Sequence, residues 1–118
     1  MADYDANCIF CKIANKEMGS LIYEDDLVCA FDDIDPKAPV HVVVIPKKHI
    51  ERISDLNSNE DAELAGKIIV AANKIAEDRG IKDDGYRLVA NCNEDAGQSV
   101  WHVHFHLLGG RKMSWPPG

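Results

Sequence analysis

Three histidines alternate with apolar residues in the segment Gly97-Gln98-Ser99-Val100-Trp101-His102-Val103-His104-Phe105-His106-Leu107-Leu108-Gly109-Gly110. Successive side chains of a β-strand point to opposite faces of the sheet. Residues 101–108 are therefore predicted to form a strand with His102, His104 and His106 on one face, and the glycine pair after it predicts a turn. Three aligned imidazoles indicate a chemical site, and both metal ligation and nucleophilic or acid–base catalysis are open.

The turn before this strand contains Gly97, Gln98 and Ser99. Glycine lets backbone N–H groups approach an anion closely, and the serine adds a hydroxyl donor. An anion-binding turn followed by a row of histidines favours phosphoryl chemistry over a metal site built only from histidine.

The composition limits the classes of function. A chain of 118 residues predicts one domain, covering residues 1–118. The formal net charge of −7 argues against nucleic-acid binding, which depends on lysine and arginine. The acidic start of the chain does not resemble a secretion signal, and the longest apolar run, 68–72, is too short to cross a membrane. We expect a cytoplasmic or nuclear protein with reduced cysteines.

The pattern of apolar and turn residues predicts an α+β fold. The long helix is expected to begin after Ser58, to end near Arg79 before Gly80, and to bury a stripe formed by Leu64, Ala65, Ile68, Ile69, Ala72, Ile75 and Ala76. Short connections favour an antiparallel sheet with helices packed against it. The other predicted elements are helices at 8–16 and 49–56 and strands at 21–24, 27–32, 40–45, 86–91 and 101–108.

The motif His-Val-His-Phe-His-Leu-Leu after Gly-Gln-Ser-Val resembles the histidine triad motif of the HIT superfamily of nucleotide hydrolases and transferases. The segments at 8–13, 23–26, 30–36 and 44–50 also resemble this family. The closing Ser-Trp-Pro-Pro-Gly at 114–118 is similar to the ending of its histidine triad nucleotide-binding branch, whose members are adenosine phosphoramidases. The resemblance implies a five-stranded antiparallel sheet and a homodimer with a continuous sheet.

The resemblance also implies roles for the histidines. His104 corresponds to the nucleophile that attacks the α-phosphate, and His106 to the residue that contacts the phosphate or the leaving group. His102 and His41 flank these two residues. Ser99, with Gly97 and Gln98, is expected to supply hydrogen-bond donors to the developing negative charge.

The same resemblance implies a site for a purine nucleoside monophosphate or phosphoramidate. Asp33 corresponds to the carboxylate that accepts hydrogen bonds from the ribose hydroxyls. Asn91 corresponds to a residue near the phosphate, and Trp115 to one that approaches the partner subunit's site in dimers. The residues expected to line the purine slot are Ile9, Phe10, Ile13, Met18, Phe31, Ile34 and Val43.

A metal site is predicted separately. Cys8 and Cys11 form a C-x-x-C pair, which has the spacing of structural zinc ligands. The resemblance to zinc-bearing relatives implies that His49 and His102 complete the site. The expected zinc is structural, so no cofactor is expected to be required for catalysis.

The function expected from the resemblance is a purine nucleoside phosphoramidase. Such an enzyme hydrolyses a P–N bond through a nucleotidyl-histidine intermediate and releases AMP or GMP and an amine. Two alternatives remain open at this point: a nucleotide-binding regulatory or scaffold module, and a hydrolase of dinucleoside polyphosphates.

Overall fold

The computed structural model describes residues 4–118 and has the predicted order of elements except for the helix expected at 49–56. Residues 1–3, part of the segment in which we expect no secretion signal, lie outside the described range. Two short 3₁₀ turns lie at Ile53–Asp55 and Glu94–Ala96. The helices are α1 (Ile9–Ala14) and α2 (Asn59–Asp78), and the strands are β1 (Tyr23–Glu24), β2 (Val28–Asp32), β3 (Val40–Pro46), β4 (Tyr86–Ala90) and β5 (Phe105–Gly109).

The five strands form one antiparallel sheet, as predicted, and their order in the sheet is β1-β2-β3-β5-β4. The central strand β3 is rich in β-branched residues and is buried from His41 to Pro46. Such a run suits a strand that is covered on both faces. In the register between β3 and β5, Val43 lies opposite His106.

The two helices cover opposite faces of the sheet. On one face, Val42 and Val44 pack with the α2 residues Ile68 and Ala72 in the larger hydrophobic core. On the other face, Val43 packs with residues of and near α1 in a smaller cluster. Because His106 lies opposite Val43, its side chain is on the α1 side of the sheet, where a cavity remains.

Helix α2 begins and ends where the sequence predicts. The Ser58 hydroxyl accepts a hydrogen bond from the Asp61 amide, and the Asp61 carboxylate accepts one from the Asn57 amide. The predicted apolar stripe is wrong at Ile69, which is 43% exposed, while Ala71 is buried. Ile69 follows Ile68 by one residue, about 100° around the helix, and therefore falls outside the arc that faces the sheet.

The predicted strand at 101–108 is wrong in its first half, because β5 begins only at Phe105. The partner strand β3 ends at Pro46, which has no N–H with which to extend the ladder. The amide of Val103 donates instead to the Ile50 carbonyl, at 2.8 Å. His102 and His104 consequently lie in an irregular segment and face different groups.

The predicted helix at 49–56 is also wrong, since only the 3₁₀ turn at 53–55 forms there. Its early carbonyls are used by the histidine segment: that of Ile50 accepts from Val103, and that of Glu51 accepts from the Gln98 side chain. These contacts replace the hydrogen bonds that a helix would need. Among residues 4–118, no helix is both long and apolar enough to span a bilayer.

Candidate functional site

A cavity of about 440 Å³ lies between α1 and the sheet, and it brings together most of the predicted site residues. Phe10 and Phe31 form part of its apolar wall, and their rings pack edge to face with 5.3 Å between centroids. Gly19, Ser20, Asp32 and Val100 also line the cavity and were not predicted. The predicted residues that line it are Ile9, Phe10, Ile13, Met18, Phe31, Asp33, Ile34, Val43, Ser99, His104 and His106.

His104 presents a free ring nitrogen in this cavity. Its Nδ1 lies 2.7 Å from the carbonyl oxygen of His102. A carbonyl can only accept, so Nδ1 carries the proton and Nε2 of the neutral ring carries a lone pair. The ring is 5% exposed, and the edge-to-face contact with Phe10, 5.1 Å between centroids, restricts its orientation. This is the arrangement that a nucleophilic imidazole needs.

A chain of hydrogen bonds fixes the tautomer of His106. The backbone amide of Lys37 donates to Nδ1 of His41 at 3.0 Å, so the proton of neutral His41 is on Nε2. That nitrogen lies 2.9 Å from Nδ1 of His106 and donates to it. The remaining proton of His106 is therefore on Nε2. His106 lines the cavity next to His104, with ring centroids 5.1 Å apart.

The environment keeps His106 uncharged at neutral pH. Burial lowers its pKa below the usual histidine range, and the neighbouring His104 and His41 lower it further. The Asp33 carboxylate, 4.0 Å from Nδ1, acts in the opposite direction. His106 can therefore donate a hydrogen bond through Nε2 as a neutral ring.

Asp33 lies at the edge of the cavity next to the histidines. Its Oδ2 atom is 3.4 Å from Nε2 of His41, and its Oδ1 atom accepts the Asp35 amide at 2.8 Å. Asp33, His41 and His106 together form a cluster of metal-ligand atoms. However, Nε2 of His41 holds a proton because Lys37 occupies Nδ1, so this cluster fits a hydrogen-bond relay better than a metal centre.

The turn before the histidine segment differs from the predicted anion-binding turn, in which backbone amides would be free to bind a ligand. Gly97 has φ of 80°, a left-handed conformation that suits glycine. The amides of Gly97 and Gln98 donate to the carbonyls of Glu94 and Asn93 and are not available to a ligand. The Gln98 side chain also bonds backbone groups of the surrounding loops. Of the three predicted donors, only Ser99 lines the cavity.

The four predicted metal ligands, one of which is His102, lie together outside the cavity. Nδ1 of His102 is 3.3 Å from Sγ of Cys8 and 3.5 Å from Sγ of Cys11. Nδ1 of His49 is 3.2 Å from Sγ of Cys11 and 3.3 Å from Nδ1 of His102. A tetrahedral zinc ion with bonds of about 2.0–2.3 Å separates its ligand atoms by about 3.3–3.8 Å, so the spacing fits zinc.

The protonation pattern of this Cys/His cluster also fits a metal. Nε2 of His102 donates to the Pro46 carbonyl at 2.8 Å, which leaves the Nδ1 lone pair facing the thiols. Burial lowers the pKa of His102 to about 4, so the ring is neutral, as a ligand must be. Asp5 supports the cluster, because its amide donates to Sγ of Cys11 and its carboxylate lies 3.8 Å from Nε2 of His49.

Two more predicted residues, Asn91 and Trp115, lie away from the cavity. Asn91 is half-buried just after β4 and does not line the cavity wall. Trp115 is 80% exposed, and the Arg87 guanidinium lies 5.8 Å from the centre of its ring. Neither residue contacts the cavity within one protomer.

The site also depends on residues that the sequence patterns did not identify. Arg79 forms two hydrogen bonds to the carboxylate of Asp32, at 2.9 and 3.0 Å. Lys37 acts through its main chain, which no side-chain pattern reveals. Ser20 follows Gly19, and its only sequence signal is its position two residues after the predicted Met18.

Comparison with known proteins gives a consistent result. The family model for the HIT domain matches residues 15–113. The purine nucleoside phosphoramidase of Escherichia coli K12 is 48% identical over 106 residues, which cover 89% of this chain and 88% of that protein. The crystal structure of a HIT family hydrolase from Legionella pneumophila superposes with a TM-score of 0.91 at 51% identity, covering 95% of this chain and 100% of that one.

A histidine triad protein from Clostridium difficile is also similar, with a TM-score of 0.89 at 44% identity. The match covers 93% of this chain and 96% of that one. Similarity of this extent in both sequence and structure leaves no large part of the chain outside the comparison. The chain belongs to the HIT domain family.

Proposed function

We propose that this protein is a nucleotide hydrolase and, more specifically, a purine nucleoside phosphoramidase. The hydrogen bond between His104 and the His102 carbonyl carries the proposal, because it leaves a lone pair on Nε2 of a buried ring that lines the cavity. The 48% identity to a protein named purine nucleoside phosphoramidase supports the reaction class.

The substrate is proposed to be a purine nucleoside 5′-phosphoramidate. The apolar wall around Phe10 and Phe31 suits a planar base, since an aromatic ring edge can pack on its face. The Asp33 carboxylate suits two vicinal ribose hydroxyls, because it accepts hydrogen bonds through two oxygens. The phosphate would then lie near Ser99, His104 and His106.

The reaction is proposed to proceed in two displacements. Nε2 of His104 forms a bond to phosphorus while the P–N bond breaks, which gives a nucleotidyl-histidine and the free amine. Water then attacks the same phosphorus, and the P–His104 bond breaks to release AMP or GMP. The departing nitrogen takes up one proton from solvent in the first step, and the attacking water releases one proton to solvent in the second, so protons balance over the cycle.

Two further groups stabilise the transition states in this proposal. Nε2–H of His106 donates to a non-bridging oxygen or to the departing nitrogen, and Ser99 supplies a hydroxyl donor. Fixed donors aimed at developing charge commonly contribute about 3–4 kcal/mol each. Nδ1–H of His104 keeps its hydrogen bond to the His102 carbonyl, and this bond stabilises the positive ring of the intermediate.

We propose a structural role for zinc, held by Cys8, Cys11, His49 and His102. Bound zinc would keep the thiols deprotonated, even though burial raises the pKa of Cys11. No reaction step requires it. All four cysteines of the chain are free, and a thiol site of this kind fits a reducing compartment, so we propose a cytoplasmic or nuclear location.

We also propose a homodimer. Ile69 and Val70 of α2 are 43% and 52% exposed, and Asn73, one turn further along, bonds the Tyr86 hydroxyl. The exposed apolar residues of α2 therefore lie on a helix that contacts β4, which is an edge strand of the sheet. An edge strand beside an apolar helix face suits pairing with a second copy.

The function is tested by turnover of an adenosine 5′-phosphoramidate that carries a fluorescent amine. Wild type is compared with His104→Ala, with circular dichroism and thermal unfolding as folding controls. We expect wild type to release AMP and amine, and His104→Ala to lose at least about 10³-fold in kcat.

Other outcomes select other functions. AMP binding without turnover of the phosphoramidate would contradict the proposal and favour a nucleotide-binding module. Much faster hydrolysis of diadenosine polyphosphates than of the phosphoramidate would favour a dinucleoside polyphosphate hydrolase.

A further inference from the structure

The loop between β2 and β3 contains the backbone group that determines the tautomers of two site histidines. The amide of Lys37 donates to Nδ1 of His41 at 3.0 Å, and Nε2 of His41 donates in turn to Nδ1 of His106 at 2.9 Å. The Lys37 side chain does not take part: it is 63% exposed and pairs with Asp35. The constraint therefore depends on the position of the Lys37 main chain, and specifically of its amide.

An incorrect tautomer would change the chemistry of the cavity. If the Lys37 amide moved away from His41, the proton of neutral His41 could move to Nδ1, and Nε2 of His41 would then accept rather than donate. His106 would then place its own proton on Nδ1 to donate to His41. Its Nε2 atom would carry a lone pair, which repels phosphate oxygens instead of binding them.

Arg111, which follows β5, holds the main chain of Lys37 in place at the carbonyl, one peptide group after the amide that bonds His41. Its Nε atom donates to the Lys37 carbonyl at 3.1 Å. The preceding Gly110 has φ of 88°, and a Cβ built on it would lie 2.9 Å from Cβ of Pro39. The loop thus packs closely against the residues that follow β5, and Arg111 provides the side-chain hydrogen bond across this contact.

Asp33 is held in the same loop by other contacts. Its amide donates to the His41 carbonyl at 3.0 Å, and its carboxylate accepts the Asp35 amide. Loss of the Arg111 side chain should therefore shift the main chain of Lys37 more than it shifts Asp33. The two effects can be separated, because one changes the histidine tautomers and the other changes ligand affinity.

We propose that Arg111 is a positioning residue: by bonding the Lys37 carbonyl it fixes the Lys37 main chain, including the amide that bonds His41, and thereby keeps His41 and His106 in the tautomers that leave a proton on Nε2 of His106. The catalytic consequence of this proposal rests on the proposed phosphoramidase function. The tautomers themselves do not, because they can be observed without turnover.

The test is long-range ¹H–¹⁵N correlation NMR of histidine-labelled wild type and Arg111→Ala, Arg111→Lys and Lys112→Ala variants. We expect wild type and Lys112→Ala to show His41 and His106 as single Nε2–H tautomers, and Arg111→Ala to show a mixture at both rings. Arg111→Lys should restore much of the wild-type pattern, since its ammonium group can also donate to a carbonyl. Spectra of Arg111→Ala identical to those of wild type would overturn the proposal.

Enzyme kinetics provide a second test of the role of Arg111. For Arg111→Ala we expect kcat to fall about tenfold, a part of the 10²–10⁴ that a positioned proton donor contributes, while the Kd for AMP changes less than about twofold. Altered tautomers with an unchanged kcat would overturn the catalytic part of the proposal. If wild type does not turn over at all, the proposed function fails, and the spectra still decide whether Arg111 sets the tautomers.

Discussion

The ring of His104 is held by the main chain of His102, through a hydrogen bond of 2.7 Å from Nδ1 to the carbonyl oxygen. The ring of His102 points elsewhere, toward Cys8 and His49, and its Nε2 atom bonds the Pro46 carbonyl. One residue thus belongs to two clusters, with its side chain in the Cys/His cluster and its peptide group beside the cavity. The proposed metal would therefore fix His102, whose carbonyl accepts the hydrogen bond from the ring of His104, the proposed nucleophile.

The Cys/His cluster predicts a stabilising metal. We expect purified protein to contain about one zinc per chain, and Cys11→Ser to lose it and to unfold about 10 °C lower, because a ligand that binds only the folded state stabilises by several kcal/mol. Metal analysis and thermal unfolding measure both effects. Cys92→Ser is the control and should keep the metal, since Cys92 is not part of the cluster and its thiol contacts Ser54. Equal zinc content in both variants would contradict the assignment.

The position of Asp33 predicts a selective loss of affinity. Asp33→Asn should weaken AMP binding by about tenfold to a hundredfold, since hydrogen bonds to a charged group contribute about 1.5–3 kcal/mol each. Isothermal titration calorimetry measures the Kd. Asp35→Asn, in the same loop but paired with Lys37 at the surface, should bind normally. Equal Kd values for the two variants would argue against a role for Asp33 in binding the ribose.

The exposed apolar face of α2 predicts a dimer. Wild type should sediment as a dimer at micromolar concentration, and Ile69→Glu should sediment as a monomer, because a buried unpaired carboxylate is costly. Lys67→Glu is the matched control, since Lys67 lies on the opposite flank of the helix. Analytical ultracentrifugation separates the two cases. A wild-type monomer, or a dimeric Ile69→Glu variant, would contradict the proposed interface.

The lowered pKa of His106 predicts a pH dependence of stability. An unfolded histidine titrates near 6.5, whereas folded His106 takes up a proton only at lower pH. The unfolded state therefore binds more protons as the pH falls below about 6.5, and the free energy of unfolding decreases until the folded pKa is passed. Urea unfolding between pH 7.5 and 5 should show a smaller decrease for His106→Asn than for wild type. Equal slopes would contradict the prediction.

The alternating pattern identified some of the buried residues of the histidine segment, but Trp101, which shares the predicted face of Val103, is 43% exposed. Val103 and Leu107 are in the main core, as alternation predicts, although Val103 lies outside any strand. The strand starts late because Pro46 cannot extend the ladder and the Ile50 carbonyl captures the Val103 amide. That capture is a contact between segments far apart in sequence, which local periodicity cannot anticipate.

The site was predictable where side chains carry the chemistry and not where peptide groups do. The Cys/His cluster and the apolar wall of the cavity were found from residue types and a family motif. The Lys37 amide and the His102 carbonyl have no signature in the sequence, because every residue has such groups. Arg111 and Arg79 were missed for a related reason, since an arginine that bonds one distant carbonyl or carboxylate resembles any surface cation.

The stereochemistry at phosphorus tests the proposed covalent mechanism most directly. The substrate is an adenosine 5′-phosphoramidothioate of one configuration at phosphorus, hydrolysed in ¹⁸O-labelled water, and the configuration of the product is read by ³¹P NMR. Each in-line displacement inverts phosphorus, so attack by His104 followed by attack of water predicts net retention. Net inversion would mean that water attacks the substrate directly, and it would contradict a nucleotidyl-histidine intermediate.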